Sequence, residues 1–136
     1  PIQFRNLSDR ELLALADSQR LLQVLVNLLD NARDACSDYG SVEIRTREEG
    51  DKAVVEVEDN GCGIPSASLS QVFEPFYPTK DPGDGTGLGL ALVYSIMEDM
   101  GGSVQITSPV GPADQPGTLV TLRLPVASYG RELLAL

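Results

Sequence analysis

Histidine and tryptophan are both absent from this 136-residue chain. Without histidine there is no Ser-His or Cys-His nucleophilic pair and no histidine-ligated zinc site. The two cysteines, Cys36 and Cys62, are too few for a disulfide framework and lack the spacing of a metal motif. We therefore expect two free thiols in a reducing compartment.

Positive charge is scarce, with ten Lys and Arg residues against twenty Asp and Glu, giving a net charge of −10. Nucleic-acid surfaces need clustered Lys and Arg, so we expect no nucleic-acid partner. The net negative charge repels a polyphosphate, which would need backbone N–H groups, a metal ion and one or two well-placed cations to bind. No apolar run approaches the ~18 residues of a membrane span, which predicts no direct membrane contact by this domain.

The residues that are present predict a single globular domain with two long helices. Asp17–Cys36 contains no glycine or proline, begins with capping residues and repeats leucine and alanine at helical spacing. A second helix is predicted from about Gly87 to Met100, where Gly101 and Gly102 stop it.

Alternating apolar residues predict several strands. The segments "IQF" and "ELLALA" are short candidates, residues 41–59 read as a β-hairpin broken at "EEGD", and "SVQITS" and "TLVTLRLP" are later strands. A short helix after "NGCGIP" is one that Ser66 could cap. The expected fold is α+β, a two-layer α/β sandwich whose antiparallel or mixed sheet is covered on one face by helices.

Two polar features carry chemistry, each with a structural alternative. Gln23, Asn27 and Asn31 are four residues apart and form one stripe on the first helix. They either face water and backbone partners or supply an amide oxygen to a hard cation such as Mg²⁺. Asp59 ends a strand before "NGCGIP", where it either forms a tight turn or accepts a hydrogen bond from the exocyclic amine of adenine.

The glycine-rich stretch "GDGTGLG", residues 83–89, opens the second helix. It is not followed by the Lys-Ser/Thr of a Walker A loop, and no strand precedes it as in a dinucleotide fingerprint. A helix N-terminus nevertheless favours an anion, and Lys80 is the only basic residue between Lys52 and Arg123.

Five blocks in order, "QVLVNLLDNARDAC", "VEDNGCGIP", "VFEPFYPTK", "GTGLGLALVYSIMEDMGGSV" and "GTLVTLRLP", resemble the ATP-binding catalytic domain of sensor histidine kinases. These belong to a wider class that includes gyrase, Hsp90 and MutL ATPases. The resemblance covers roughly Asp17 to Pro125. It implies the Bergerat-type ATP-binding fold, with a mixed, mostly antiparallel sheet.

The resemblance also implies residue roles, with ATP and Mg²⁺ as cofactors. Asn31 would be the metal ligand, Asn27 would line the phosphate site, and Lys80 would meet the terminal phosphate from a mobile lid. Asp59 would accept the adenine amine, and Thr118 would reinforce this contact through water. The nucleotide would also contact glycines and their neighbours: Gly61, Gly63, Gly85, Thr86, Gly87, Leu88 and Gly89.

The family's phosphoacceptor is a histidine on a separate dimerisation domain, and this chain has none. The implied partners are therefore that histidine phosphotransfer domain and a response regulator receiver domain. The implied location is cytoplasmic, and membrane anchoring of the parent protein stays open. Two alternatives stay open: an ATPase or serine kinase of the same fold, and a non-catalytic nucleotide-binding domain.

The expected division is a catalytic domain over residues 1–125 and a tail over 126–136. The hexapeptide "RELLAL" occurs at residues 10–15 and again at 131–136. Either the second copy pairs where the first does, or the repeat is a coincidence of leucine-rich sequence.

Overall fold

The structure is a computed structural model that describes residues 3–6, 16–36, 39–73 and 89–126. Residues 11–15 of the predicted strand and both copies of the hexapeptide lie outside these residues. The elements, in chain order, are β1 (Gln3–Asn6), α1 (Ser18–Ala35), β2 (Ser41–Glu49), β3 (Lys52–Asp59), a 3₁₀ helix (Ser66–Gln71), α2 (Gly89–Asp99), β4 (Ser103–Thr107) and β5 (Thr118–Pro125).

Helix α1 confirms the prediction from sequence. The side chain of Asp17 caps it by accepting hydrogen bonds from the backbone N–H groups of Gln19 and Arg20, at 3.0 and 3.2 Å. Its buried residues are spaced four apart and face the sheet: Val24, Leu28 and Ala32.

The five strands form one mixed sheet in the order β1-β2-β3-β5-β4. Strands β2, β3, β5 and β4 pair antiparallel, whereas β1 pairs parallel to β2. Parallel neighbours need a crossover connection, and α1 lies between these two strands in the chain. The α+β class and the mixed, mostly antiparallel sheet are therefore confirmed.

The core lies between the sheet and the two helices. Alternate residues of β2, β3 and β5 meet the apolar faces of α1 and α2, and each buried valine or leucine contributes roughly 1.5–3 kcal/mol. The buried residues outside α1 include Val42, Val57, Val93, Ile96, Met97, Val120, Leu122 and Leu124. At the surface, Arg20 of α1 and Asp99 of α2 form an ion pair at 2.9 Å.

The other face of the sheet carries charged side chains. Arg45 contacts Glu58 at 2.7 Å across β2 and β3, and Arg47 contacts Glu56 at 2.9 Å. Partly exposed pairs like these add little stability each, but they keep this face compatible with water. The sheet is therefore two-sided in character, with one apolar and one charged face.

Three details refine the predictions. The 3₁₀ helix begins at Ser66 with Pro65 in the N-cap position, so the prediction that Ser66 caps it is wrong. Helix α2 ends as predicted, with Gly101 at φ +75° and the Gly102 N–H donating to Met97 O at 2.9 Å. In the described part of the chain, no helix is long and apolar enough to cross a membrane.

The sheet's contacts extend one residue beyond β5. Val126 is buried and its N–H donates to Asp51 O at 3.0 Å. This residue therefore packs with the domain, although the expected boundary falls just before it.

Candidate functional site

An open cavity lies between α1, the end of β3 and the start of β5. Its apolar lining comes from Leu28, Ala32, Val57, Ile64, Ile106 and Val120. Its polar lining comes from Asn31, Asp34, Asp59, Cys62 and Thr118. A mostly apolar cleft with a few converging polar groups is the usual form of a small-molecule site.

Asp59 is the buried carboxylate of this cavity, with 7% of its surface exposed. It ends β3 directly opposite Thr118 of β5. The backbone N–H groups of Gly61 and Thr118 donate to its carboxylate, the first at 2.9 Å. Asp59 therefore forms the turn contact that its sequence predicted and also lines the cavity, so the two interpretations are compatible.

Burial raises the pKa of Asp59 above the ordinary aspartate value, and the charge of Glu58 adds to this rise. The two backbone hydrogen bonds lower the pKa and offset part of the effect. A carboxylate that is costly to keep charged benefits from a further donor. The carboxylate is thus suited to accept a hydrogen bond from a ligand.

Gly61 allows the turn after β3 to lie against the end of α1. A Cβ at this position would lie 2.3 Å from Ala35 O, and the next residue, Cys62, donates its N–H to the same oxygen at 3.0 Å. Gly63 lines the cavity with φ at +72°, a backbone conformation that favours glycine. Both glycines therefore determine the shape of the cavity wall.

Asn31 lines the cavity from α1. Its amide faces Gly89, the first residue of α2, where a Cβ would lie 3.6 Å from Nδ2 and 3.8 Å from Oδ1. The N-terminus of a helix favours anions, so this corner combines an amide oxygen with a site suited to phosphate. Asn27 lies one turn earlier on α1 and does not line the cavity.

The donor set bears on metal binding. Among the described residues there is no group of three or more His, Cys, Asp or Glu side chains that could hold a metal ion. A cation at Asn31 would therefore need most of its ligands from water and phosphate, which is how Mg²⁺ binds with nucleotides.

The structure thus brings together Asn31, Asp59, Gly63, Gly89 and Thr118 around one cavity. Gly61 lies directly behind Asp59. The remaining predicted site residues lie outside the described part of the chain: Lys80, Gly85, Thr86, Gly87 and Leu88.

Sequence reasoning missed Ser108, which lies just after β4. It is 7% exposed, and its hydroxyl connects the turn at Ile64 with Gly117, the residue before β5. The only signal was a polar residue at the end of an alternating strand, which does not reveal contacts with distant residues. Asp34 also lines the cavity, and no role is predicted for it from the sequence.

Comparison with known proteins identifies the family. The protein-family model described as histidine kinase-, DNA gyrase B-, and HSP90-like ATPase matches residues 16–128. The sensor kinase CckA of Brucella abortus is 42% identical over 125 residues, which cover 81% of this chain but 13% of CckA. The chain is thus a small part of the length of this curated relative.

Solved structures of histidine kinases have the same fold as this chain. The mycobacterial sensor histidine kinase MprB superposes with a TM-score of 0.83 at 30% identity, over 92% of this chain and 84% of that one. Full-length ShkA, in complex with AMPPNP, gives 0.78 at 29%, covering 93% and 26%. The histidine kinase ThkA, in complex with the response regulator TrrA, gives 0.73 at 30%, covering 91% and 34%. The chain belongs to the histidine kinase-, DNA gyrase B- and HSP90-like ATPase family, and its relatives are sensor histidine kinases.

Proposed function

We propose that this chain binds ATP with Mg²⁺ and presents the γ-phosphate to a histidine on a separate dimerisation domain. The observation that carries the proposal is Asp59, a buried carboxylate at one end of a mostly apolar cavity whose other end holds Asn31 and the start of α2. A purine fits the apolar part and a polyphosphate fits the helix terminus.

The adenine end follows from hydrogen-bond chemistry. Asp59, as a carboxylate, only accepts hydrogen bonds, and the exocyclic amine of adenine is a donor. Thr118 adds a second oxygen beside it, and Gly61 and Gly63 let the wall approach the base. The 29% identical ShkA was solved with AMPPNP, which supports a nucleotide in this cavity.

The phosphate end follows from the corner formed by Asn31 and Gly89. Asn31 would hold Mg²⁺ through its amide oxygen, and the ion would supply neutralisation of the phosphate charge. Asn27 would line the phosphates from the preceding turn, and Lys80 would contact the terminal phosphate. The glycine-rich residues 85–88 would surround the remaining phosphate oxygens.

Catalysis by this chain would consist of positioning and charge neutralisation. The attacking group is a histidine, which this chain lacks. A water-activating ATPase of the gyrase type would need a general base, and this chain has Asn27 where those enzymes place a glutamate. The sequence therefore favours transfer to a partner over hydrolysis.

The wider role is signal transduction by a two-component system, with a receiver domain as the final phosphate acceptor. The complex of ThkA with TrrA supports such a partner. The division into a catalytic domain over 1–125 and a tail over 126–136 remains part of this proposal, as does a cytoplasmic location.

The test is phosphotransfer from radiolabelled ATP to a dimerisation domain of the family, with a histidine-free variant of that domain as control. We expect label on the histidine-containing domain alone. With Asp59→Asn, at ATP concentrations below saturation, we expect about 10- to 100-fold less label. ATP binding without transfer would support a nucleotide sensor, and phosphate release without transfer would support an ATPase.

A further inference from the structure

Ser108 is a buried polar residue that the proposed function does not use. Its Oγ accepts a hydrogen bond from Ile64 N at 2.9 Å and donates to Gly117 O at 2.7 Å. A third contact, at 3.4 Å, joins it to Oγ1 of Thr118, which lines the cavity. Ser108 thus contacts both chain segments that border the base end of the cavity.

The direction of these hydrogen bonds follows from the donors and acceptors available. A hydroxyl has one proton and two lone pairs. Gly117 O is a carbonyl and cannot donate, so the proton of Ser108 points at it. Ile64 N is an amide and cannot accept, so it occupies one lone pair of Ser108. Only one lone pair is left for Thr118, and Thr118 must therefore be the donor in that contact.

This assignment fixes the character of Thr118. Its only proton points toward Ser108, so its oxygen offers lone pairs alone to the cavity. Asp59 lies opposite in the sheet register and is also an acceptor. We propose that Ser108 is a positioning residue that holds Thr118 as a hydrogen-bond acceptor and thereby makes the base site selective for 6-aminopurines over 6-oxopurines.

The selectivity has a simple physical origin, and the inference rests on the proposed nucleotide site. A 6-aminopurine presents an amine that donates to such acceptors, whereas a 6-oxopurine presents an oxygen that they repel. A water bound to Thr118 must donate one proton to it and has one left for the base. N1 of adenine accepts that proton, but N1 of a 6-oxopurine is itself protonated.

The experiment compares the dissociation constants of ATP and ITP, which differ at position 6 and in the protonation of N1. The proteins are the wild-type chain, Ser108→Ala, Thr118→Val and the double variant. Ser108→Ala frees the Thr118 hydroxyl to rotate and donate. The preference for ATP over ITP should fall about tenfold, the equivalent of one hydrogen bond. In the Thr118→Val background, the same change should leave the preference unaltered.

A purely structural role predicts something different. Loss of packing would weaken the binding of ATP and of ITP by the same factor. Alternatively, it would change the ratio of their dissociation constants equally in the wild-type and Thr118→Val backgrounds. Either result overturns the inference. Ser108→Cys serves if Ser108→Ala does not fold, because its thiol is similar in size but is only a weak hydrogen-bond acceptor for Thr118. An unchanged ratio in folded Ser108→Cys also overturns it.

The same data separate this inference from the proposed function. Wild-type chain that binds neither nucleotide would overturn both. Wild-type chain that binds ATP through Asp59, with a ratio insensitive to Ser108, would overturn only the role of Ser108.

Discussion

Asp59 combines a cost in stability with the proposed role in binding. Burial raises the pKa of its carboxyl, so the folded chain holds that proton more tightly than the unfolded chain. The resulting stability decreases as pH rises from the ordinary aspartate value through the raised one, and the full cost applies above it. A residue retained at such a cost is a reasonable candidate for function.

Asp59→Asn should therefore stabilise the free domain at neutral pH and weaken its binding of ATP. The amide oxygen can still accept from Gly61, but the charge that binding requires is gone. Its loss should cost about 1.5–3 kcal/mol in ATP affinity, or roughly 10- to 100-fold. Urea unfolding across pH and nucleotide titration measure the two effects.

Glu58→Gln is the matched control, because it removes a neighbouring carboxylate that binds Arg45 on the charged face. It should leave ATP affinity unchanged. The account of Asp59 is wrong if Asp59→Asn binds ATP normally, or if its stability relative to wild type does not fall as the pH is lowered.

Asn31→Ala tests the phosphate corner. In Mg²⁺ it should lower ATP affinity about tenfold, because it removes the protein's oxygen ligand, and in EDTA it should change affinity less than about twofold. Calorimetric titration in both buffers gives the comparison. Gln23→Ala, two turns earlier in the same polar stripe, should change neither value. Equal losses with and without metal would mean that Asn31 has a structural role only.

At the scale of elements, the contact between α1 and the turn after β3 defines one wall of the cavity. This contact depends on Gly61, because a side chain there would overlap Ala35 O. Gly61→Ala must move the turn or the helix end and should cost about 1–3 kcal/mol of stability.

Gly89→Ala is the control for that measurement. Its Cβ would meet the Asn31 amide at an ordinary 3.6 Å, so the free energy of unfolding should change by less than about 1 kcal/mol. Chemical denaturation of both variants decides the point. Equal stability of Gly61→Ala and wild type would show that the turn is not held against α1.

The elements themselves were largely predictable because their signals are local. Helix α1 shows its period and its Asp17 cap, and the β2–β3 hairpin shows alternation and a glycine turn at Gly50. Asp59 could be singled out because the strand it ends leads into "NGCGIP".

The remainder depended on contacts between residues far apart in the chain. Ser108 interacts with Ile64, 44 residues away, and no local pattern encodes that pairing. The start of the 3₁₀ helix was misplaced by one residue because serine and proline both favour helix starts. Among the described residues, the sequence therefore predicted which side chains line the cavity better than how they are held.

At the scale of the whole molecule, the net negative charge restricts where a polyphosphate ligand could bind. A chain with a net charge of −10 repels a polyphosphate over most of its surface, so binding must be concentrated where backbone N–H groups and an amide meet. In the proposed function, the apolar cavity, the buried Asp59 and the start of α2 would provide that location within one fold.

The most direct test of the central claim is an amide NMR titration of the 136-residue chain with ATP and Mg²⁺. The account predicts the largest shifts at both ends of the cavity, namely at Gly61, Gly63, Gly89 and Thr118, with little change along the charged face of β2. Adenosine should reproduce the shifts at Gly61, Gly63 and Thr118 but not at Gly89. Shifts concentrated on the charged face, or none at saturating nucleotide, would contradict the assignment of this cavity as the ATP site.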